Sequence, residues 1–581
     1  MQSETAWLSS LDAVLRRRVL VAPDEPALCE YQADGKDAQH TWFSAADVDL
    51  LARRVGRVLQ SCGDAGGRVL ICLPPGFAFT AAFFGCLYSG RVAVPVPVPG
   101  RFLHERRRVA AIATNVDASV VLTGTRSIPT VTEWVAEQSL PLQVLDVESL
   151  ECPALDDDQV AHNDSDTLAL VQYTSGSTSA PKGVMLSHGN LLANVATIAR
   201  ALGLQPDDRV GGWLPAYHDM GLIGQLLTPI VLGGSSVVMD PMTFLRRPHL
   251  WLRMIGELGI KVSAAPSFAY ELCVRRVTDE QLADLDLSGW EVALNGSEPV
   301  SAAVMDSFCA RFASAGFRPE SFAPAYGLAE ATLLVTGSAR RRPLVGMSGS
   351  AAVDTGRAPV SCGRVDGVDL RIVDPETRFV LAAGEVGEIW VRGASVARGY
   401  WNAPELSAAT FGNSTTCGEG HFLRTGDLGV VRDGELYVVG RIKDVIVVRG
   451  RKLHPHDVEE TVRLQHERLR AGIGAAFGVF PPDTGELVVL AHEVAPGTPE
   501  QEYAGLVSSI KLTVSREFGV DLDGVVLLRP GGTPRTTSGK VGRVEMRRCF
   551  LDGEVRALHV DMTARLRTLR AGQPVLDTAG R

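Results

Sequence analysis

Residues able to do chemistry gather first at Tyr173-Thr174-Ser175-Gly176-Ser177-Thr178-Ser179-Ala180-Pro181-Lys182-Gly183. Backbone N–H groups in such a loop can cradle phosphate oxygens, its hydroxyls can add hydrogen bonds, and Lys182 can bring positive charge. It is not a Walker loop, because Pro181 precedes Lys182 and Gly183 follows it where Gly-Lys-Ser/Thr is required. Alone, the stretch fits either phosphate binding or an exposed turn. Further polar turns follow: Tyr217-His218-Asp219, Asn295-Gly296-Ser297, Ala325-Tyr326-Gly327-Leu328-Ala329-Glu330, Thr425-Gly426-Asp427, Gly440-Arg441-Ile442-Lys443-Asp444 and Ser538-Gly539-Lys540. His218 reads either as a core histidine satisfied by Asp219 or as the wall of a substrate pocket.

The elements that must position these residues follow from periodicity. The apolar run Leu168-Ala169-Leu170-Val171 predicts a buried strand, and Ser187 can cap a helix running from Asn190. Before it, the pattern predicts a helix over 43–59, a strand over 68–73, a helix over 77–89 and strands over 92–98 and 120–122. That alternation predicts an α/β layered sheet. In such sheets ligands collect at the carboxyl ends of strands, so the turns at 295–297 and 325–330 are expected to face one crevice with the opening loop. Arg106-Arg107-Arg108 reads as a solvated helix face. Residues 337–361, rich in Gly, Ser and Arg, read as a surface loop in which Arg340, Arg341 and Arg342 are solvated or meet an acidic protein. A β-rich section spans about 361–440. The divide falls at 442/443: a large domain over 1–442, then a small α+β domain over 443–581 with helices expected over 455–463 and 503–518.

The 581-residue chain, 45% hydrophobic and 21% charged, is composed like a globular protein long enough for more than one domain. A net charge of −10 argues against nucleic-acid partners. Ten scattered cysteines without a Cys-x-x-Cys pair read as reduced thiols in a cytoplasmic protein. No apolar run is long enough to span a membrane.

Taken together and in this order, the motifs Tyr173–Gly183, Tyr326–Glu330, Thr425–Asp427, Gly440–Asp444 and Ser538–Lys540 resemble the adenylate-forming superfamily of acyl- and aryl-CoA synthetases, adenylation domains and luciferases. Trp213-Leu214-Pro215, Tyr217–Gly224, Pro266–Leu272 and Ser361-Cys362-Gly363 are most similar to the fatty acyl-AMP ligases within it. The resemblance implies activation of a carboxylic acid by ATP to acyl-AMP, then transfer to the phosphopantetheine thiol of an acyl carrier protein. An acyl-CoA synthetase acting on a bulky acid, or a silent binding protein of the same fold, stand as alternatives. It further implies that Thr174, Ser175, Gly176, Ser177, Thr178 and Lys182 hold the β- and γ-phosphates and that Glu330 binds Mg²⁺. Asn295, Gly296, Ser297, Ala325, Tyr326, Gly327 and Leu328 would frame the adenine, while Asp427 would accept from the ribose hydroxyls and Arg441 would donate to the ribose or phosphate side. Lys540 would bridge the two reacting anions, His218 and Phe268 would line the acyl pocket, and Lys443 would be the hinge of a rotating small domain. Two departures bear on the acceptor. The 337–360 segment is short for the insertion those ligases carry, and Lys452 stands where they have Asn.

Overall fold

The structure, a computed structural model, describes residues 9–34, 37–63, 65–100, 103–174, 181–297, 300–341, 360–365, 367–448, 451–479, 486–536 and 539–571. The α/β expectation is met by two large mixed sheets. One runs Leu334–Gly337, Phe322–Gly327, Val292–Asn295, Val262–Ala265, Arg209–Gly212, Ser235–Met239, Pro26–Asp34 and Asp37–Ser44, parallel except at its two ends. The other runs Gln143–Asp146, Val120–Thr123, Arg68–Ile71, Val92–Pro95, Leu168–Thr174 and Lys182–Ser187, antiparallel only in its last pair. The interior strands are buried along nearly all their length, apart from arginines such as Arg68 and Arg209 at their starts, as parallel strands covered on both faces must be. Helices fill the space between the sheets. Phe77–Tyr88, almost wholly apolar, is buried nearly all round.

Local chemistry sets the helix starts. The Ser187 hydroxyl accepts from the Asn190 N–H while the Asn190 side chain accepts from the Ser187 N–H, so His188–Leu202 begins at a reciprocal cap. Ser44 and Asp47 do the same for Ala45–Ser61. The helix expected over 43–59 therefore starts two residues later, because Phe43 and Ser44 end the preceding strand.

A third, all-antiparallel sheet of Ser361–Arg364, Glu435–Arg441, Leu423–Arg432, Gly387–Arg392 and Asp369–Val373 accounts for the β-rich section. Beyond it, Gly474–Val479, Leu487–Glu493, Gly524–Leu528 and Ala557–Met562 form a four-stranded sheet covered by helices Pro455–Gln465, Tyr503–Phe518 and Arg543–Leu551. Its two buried clusters contain only residues from Ile446 onward.

Two arginine readings are corrected. Arg106 is largely covered and pairs with Glu137 at 2.7 Å, while Arg108 faces inward, so only Arg107 of the three is solvated. The reason is that Leu103–Asn115 packs its polar side against the neighbouring helix Ile128–Glu137 and the end of a strand. Arg340 is likewise tied inward, to Asp208 at 2.8 Å, whereas Arg341 stays exposed as expected while pairing with Glu291 at 3.0 Å. Arg342 lies outside the described residues.

Candidate active site

The strands Leu168–Thr174 and Lys182–Ser187 pair in antiparallel register with Thr174 opposite Lys182. The loop is thus a hairpin connection with its lysine back on the sheet. Ser175, Gly176, Ser177 and Thr178 lie outside the described residues. Gly183 is required here: a Cβ would come within 2.7 Å of Val171 and 2.9 Å of the Tyr173 ring. Next to this strand lies the 398–401 segment, held by Met185 N–H to the Gly399 carbonyl (3.0 Å) and Trp401 N–H to the Gly183 carbonyl (2.7 Å). Tyr400 is brought beneath Lys182, whose Nζ stands 5.7 Å from its ring centroid. The Tyr400 hydroxyl donates to Glu330 Oε1 at 2.7 Å. Burial lowers the Lys182 pKa, the neighbouring Lys443 lowers it further, and Glu330 opposes both.

A second group forms where the all-antiparallel sheet meets Phe322–Gly327. Asp427 and Arg441 are directly opposite in the pairing of Leu423–Arg432 with Glu435–Arg441. Arg441 Nε donates to Asp427 Oδ1 at 2.8 Å, and the Tyr326 hydroxyl donates to Oδ2 at 2.8 Å. Asp427 is only 4% exposed, and its N–H donates to Thr425 Oγ1. Burial and the Asp427 charge hold the Tyr326 phenol well above its usual pKa, so it stays a donor. At Gly327 a side chain would run into the Leu333 carbonyl, so this close approach accepts only glycine. Ser297 adopts φ +73°, a conformation uncommon outside glycine, at the end of Val292–Asn295.

The third group surrounds His218. Asp219 accepts from the Met220 N–H at 2.7 Å and heads the wide-turned π-helix Met220–Leu227. Burial raises the Asp219 pKa, and Lys540, arriving from the far end of the chain, counteracts it. Lys540 is held in a tight loop: its N–H donates to Thr536 Oγ1 (3.1 Å) and its carbonyl accepts from the Thr536 N–H (2.8 Å). Ser538 lies outside the described residues.

These groups line one cleft of about 2100 Å³. Thr174, Lys182, His218, Phe268, Gly296, Ser297, Ala325, Tyr326, Gly327, Leu328, Glu330, Asp427, Arg441, Lys443 and Lys540 all face it. Asn295 stands behind them, fully buried, with Oδ1 accepting from Ser267 Oγ at 3.1 Å. An apolar arm of the cleft is walled by Ile198, Leu202, Val210, Val262, Leu294 and Leu333. The helix Ser267–Arg276 contributes only Ser267, Phe268 and Glu271, since Ala269, Tyr270 and Cys273 turn into the core. Among the lining residues that sequence reasoning did not place in the site, three hold polar parts of it together. Arg108 donates to the Thr174 carbonyl (3.4 Å) at the start of the loop, and Gln172, 1% exposed, donates to the Tyr217 carbonyl at 2.6 Å. Tyr400 is the third; its place in Arg398-Gly399-Tyr400-Trp401, aromatics after a glycine, was the available signal. Among the described residues no three His, Cys, Asp or Glu side chains cluster as a metal cage, and no helix is long and apolar enough to cross a membrane.

The pattern of the AMP-binding enzyme family matches residues 15–401, and the chain belongs to that family. Its relatives are specific. It is 40% identical over 533 residues to the medium-chain-fatty-acid–[acyl-carrier-protein] ligase of Moorena producens, covering 88% of this chain and 90% of that one. It is 35% identical over 586 residues to the long-chain-fatty-acid–AMP ligase of Mycolicibacterium smegmatis, covering 90% and 91%. Its structure superposes on the fatty acyl-adenylate ligase of Legionella pneumophila, solved with acyl adenylate and pyrophosphate, at TM-score 0.71 and 33% identity over 96% of this chain and 99% of that one.

Proposed function

We propose that this protein activates a fatty acid with ATP to acyl-AMP, releasing pyrophosphate, and passes the acyl group to the pantetheine thiol of an acyl carrier protein. The observation that carries it is the convergence in one cleft of Lys182, Glu330, the Asp427–Arg441–Tyr326 set and Lys540, beside an apolar arm. Kinship with ligases named for fatty acids, carrier protein and acyl adenylate supports the same reading.

In the first half-reaction a carboxylate oxygen attacks the α-phosphorus of ATP, and the bond to the bridging oxygen of pyrophosphate breaks. Two anions must meet, so the protein's task is to hold and neutralise them. Asp427, its carboxylate fixed from both sides, accepts from the ribose hydroxyls. Arg441 donates beside it. Lys182 and the Thr174–Lys182 loop take the β- and γ-phosphates, and Lys540 spans the carboxylate and the α-phosphate. Glu330 would hold Mg²⁺. A single carboxylate suits that ion, which usually keeps water and phosphate oxygens as its other ligands and neutralises phosphate charge when bound. In the second half-reaction the thiol sulfur attacks the acyl carbon and AMP leaves. A small domain beginning at residue 443 would turn about Lys443 to withdraw Lys540 and admit the thiol. The ten free cysteines fit the reducing cytoplasm expected from the sequence.

Offering ATP, a panel of acids, and CoA or holo carrier protein in parallel tests the reading. Pyrophosphate release with a fatty acid and thioester on the carrier protein are expected. Efficient, saturable turnover with free CoA would instead make it an acyl-CoA synthetase.

A further inference from the structure

The helix Ser267–Arg276 has two opposite faces that serve different ends. Ala269, Tyr270 and Cys273 point into the core, where Tyr270 packs edge-on against Trp251 and Phe308. At 100° per residue, Phe268, Glu271 and Arg275 fall within an arc of about 60° on the other side. Each of the three meets the part of the chain beyond residue 443. Arg463 Nη1 lies 2.6 Å from Glu271 Oε1, with the two side chains only 18% and 29% exposed. Arg275 Nη1 donates to the Ala471 carbonyl at 3.3 Å. The Gly539 backbone lies against Phe268, where a Cβ would come within 3.2 Å of the ring, and the Arg535 guanidinium stands 6.0 Å from the ring centroid. Gly539 immediately precedes Lys540. Close by, the Ser301 hydroxyl donates to Glu460 Oε1 at 2.8 Å, one helical turn from Arg463.

We propose that Phe268, Glu271 and Arg275 form a docking ridge that seats the small domain with Lys540 in the cleft, making them positioning residues for acyl-AMP formation but not for thiol transfer. Phe268 also faces the cleft, and its ring meets Trp213 edge-on at 5.9 Å. A filled acyl site therefore bears on the plate against which the lysine loop rests. A rotation that withdraws Lys540 must break the Glu271–Arg463 pair, and re-forming it drives the return. This rests on the reading of the cleft as an adenylation site.

The test is a charge swap. Glu271→Arg and Arg463→Glu each place like charges across the ridge, and the double variant restores opposite ones. Each single variant is expected to slow acyl-AMP formation about tenfold, mainly in kcat, while thioester formation from supplied acyl-AMP is unchanged or faster. The double variant is expected to recover most of the loss. Glu271→Gln, which keeps shape and removes charge, should fall between. Melting temperatures within a degree or so of the parent exclude general damage. The proposal is overturned if the single variants form acyl-AMP at the parent rate, or if both half-reactions fall together without recovery in the double variant. A parent enzyme that releases no pyrophosphate with any acid would overturn the adenylation reading instead, so the two failures are told apart.

Discussion

At the scale of single residues, the cleft is built from cationic and hydroxyl groups whose partners are themselves held. The loop that carries Lys540 is held by backbone bonds, Thr536 N–H to the Lys540 carbonyl and Gly542 N–H to the Pro534 carbonyl, which a side-chain truncation leaves in place, so Lys540→Ala should leave folding intact. We expect acyl-AMP formation to drop by ~10²–10³-fold, read as pyrophosphate release, with unchanged melting temperature and with transfer from supplied acyl-AMP largely kept. Near-normal adenylation would remove Lys540 from the chemistry. Tyr326 presents a contrasting case. Its hydroxyl orients Asp427 without facing a reacting atom, so Tyr326→Phe should raise KM for ATP by about tenfold and leave kcat nearly unchanged, the signature of lost uniform binding. A matching fall in kcat would mean that the pair works in the transition state. Arg108, missed in the sequence because three consecutive arginines look solvated, is buried enough that its pKa is lowered, and it steadies the Thr174 carbonyl.

At the scale of elements, motif spacing in the sequence located nearly every polar turn of the cleft. The turns at 174–182, 295–297 and 325–330 were legible because each follows an apolar run that forms a buried strand. Tyr503–Phe518 was legible to the residue because a glycine C-cap in the left-handed region, Gly519, ends its pattern. What sequence could not give is direction. The helix Ser267–Arg276 mixes apolar and charged residues, and nothing local says which part of the chain lies opposite Glu271 and Arg275. The same holds for Arg340, whose partners Asp208 and Glu291 come from distant segments. The short 3-10 turn Ile442–Asp444 is the element on which a hinge at Lys443 depends. Lys443→Pro fixes φ there and restricts rotation. Adenylation should persist while thioester formation collapses, measured separately with acyl-AMP supplied; equal losses in both would move the hinge elsewhere.

At the scale of the whole molecule, a buried histidine sets an acid limit. His492 is fully buried in Leu487–Glu493, with one ring nitrogen on the Glu493 carbonyl at 2.7 Å, and burial lowers its pKa to about 4 from an ordinary 6.5. The neutral ring is favoured in the folded state, so the unfolded chain binds the extra proton. Its contribution is complete above pH 6.5 and is lost as pH falls from there toward 4. Melting temperature should therefore decline over that window, and the decline should be shallower in His492→Asn; an identical slope would place the sensitive group elsewhere.

The cross-strand pairing of Asp427 with Arg441 has one more consequence. Arg441 stands two residues before Lys443, so in a small domain turning there the anchor proposed for the nucleotide lies almost on the axis of the turn. Displacement in a rotation grows with distance from the axis. Lys540, carried on that domain, would be moved out of the cleft, while a ribose held at Asp427 would feel almost no displacement. The AMP moiety could thus stay gripped through both half-reactions, like a pin at the centre of a swinging gate, and the reactive adenylate need never be let go between its making and its use.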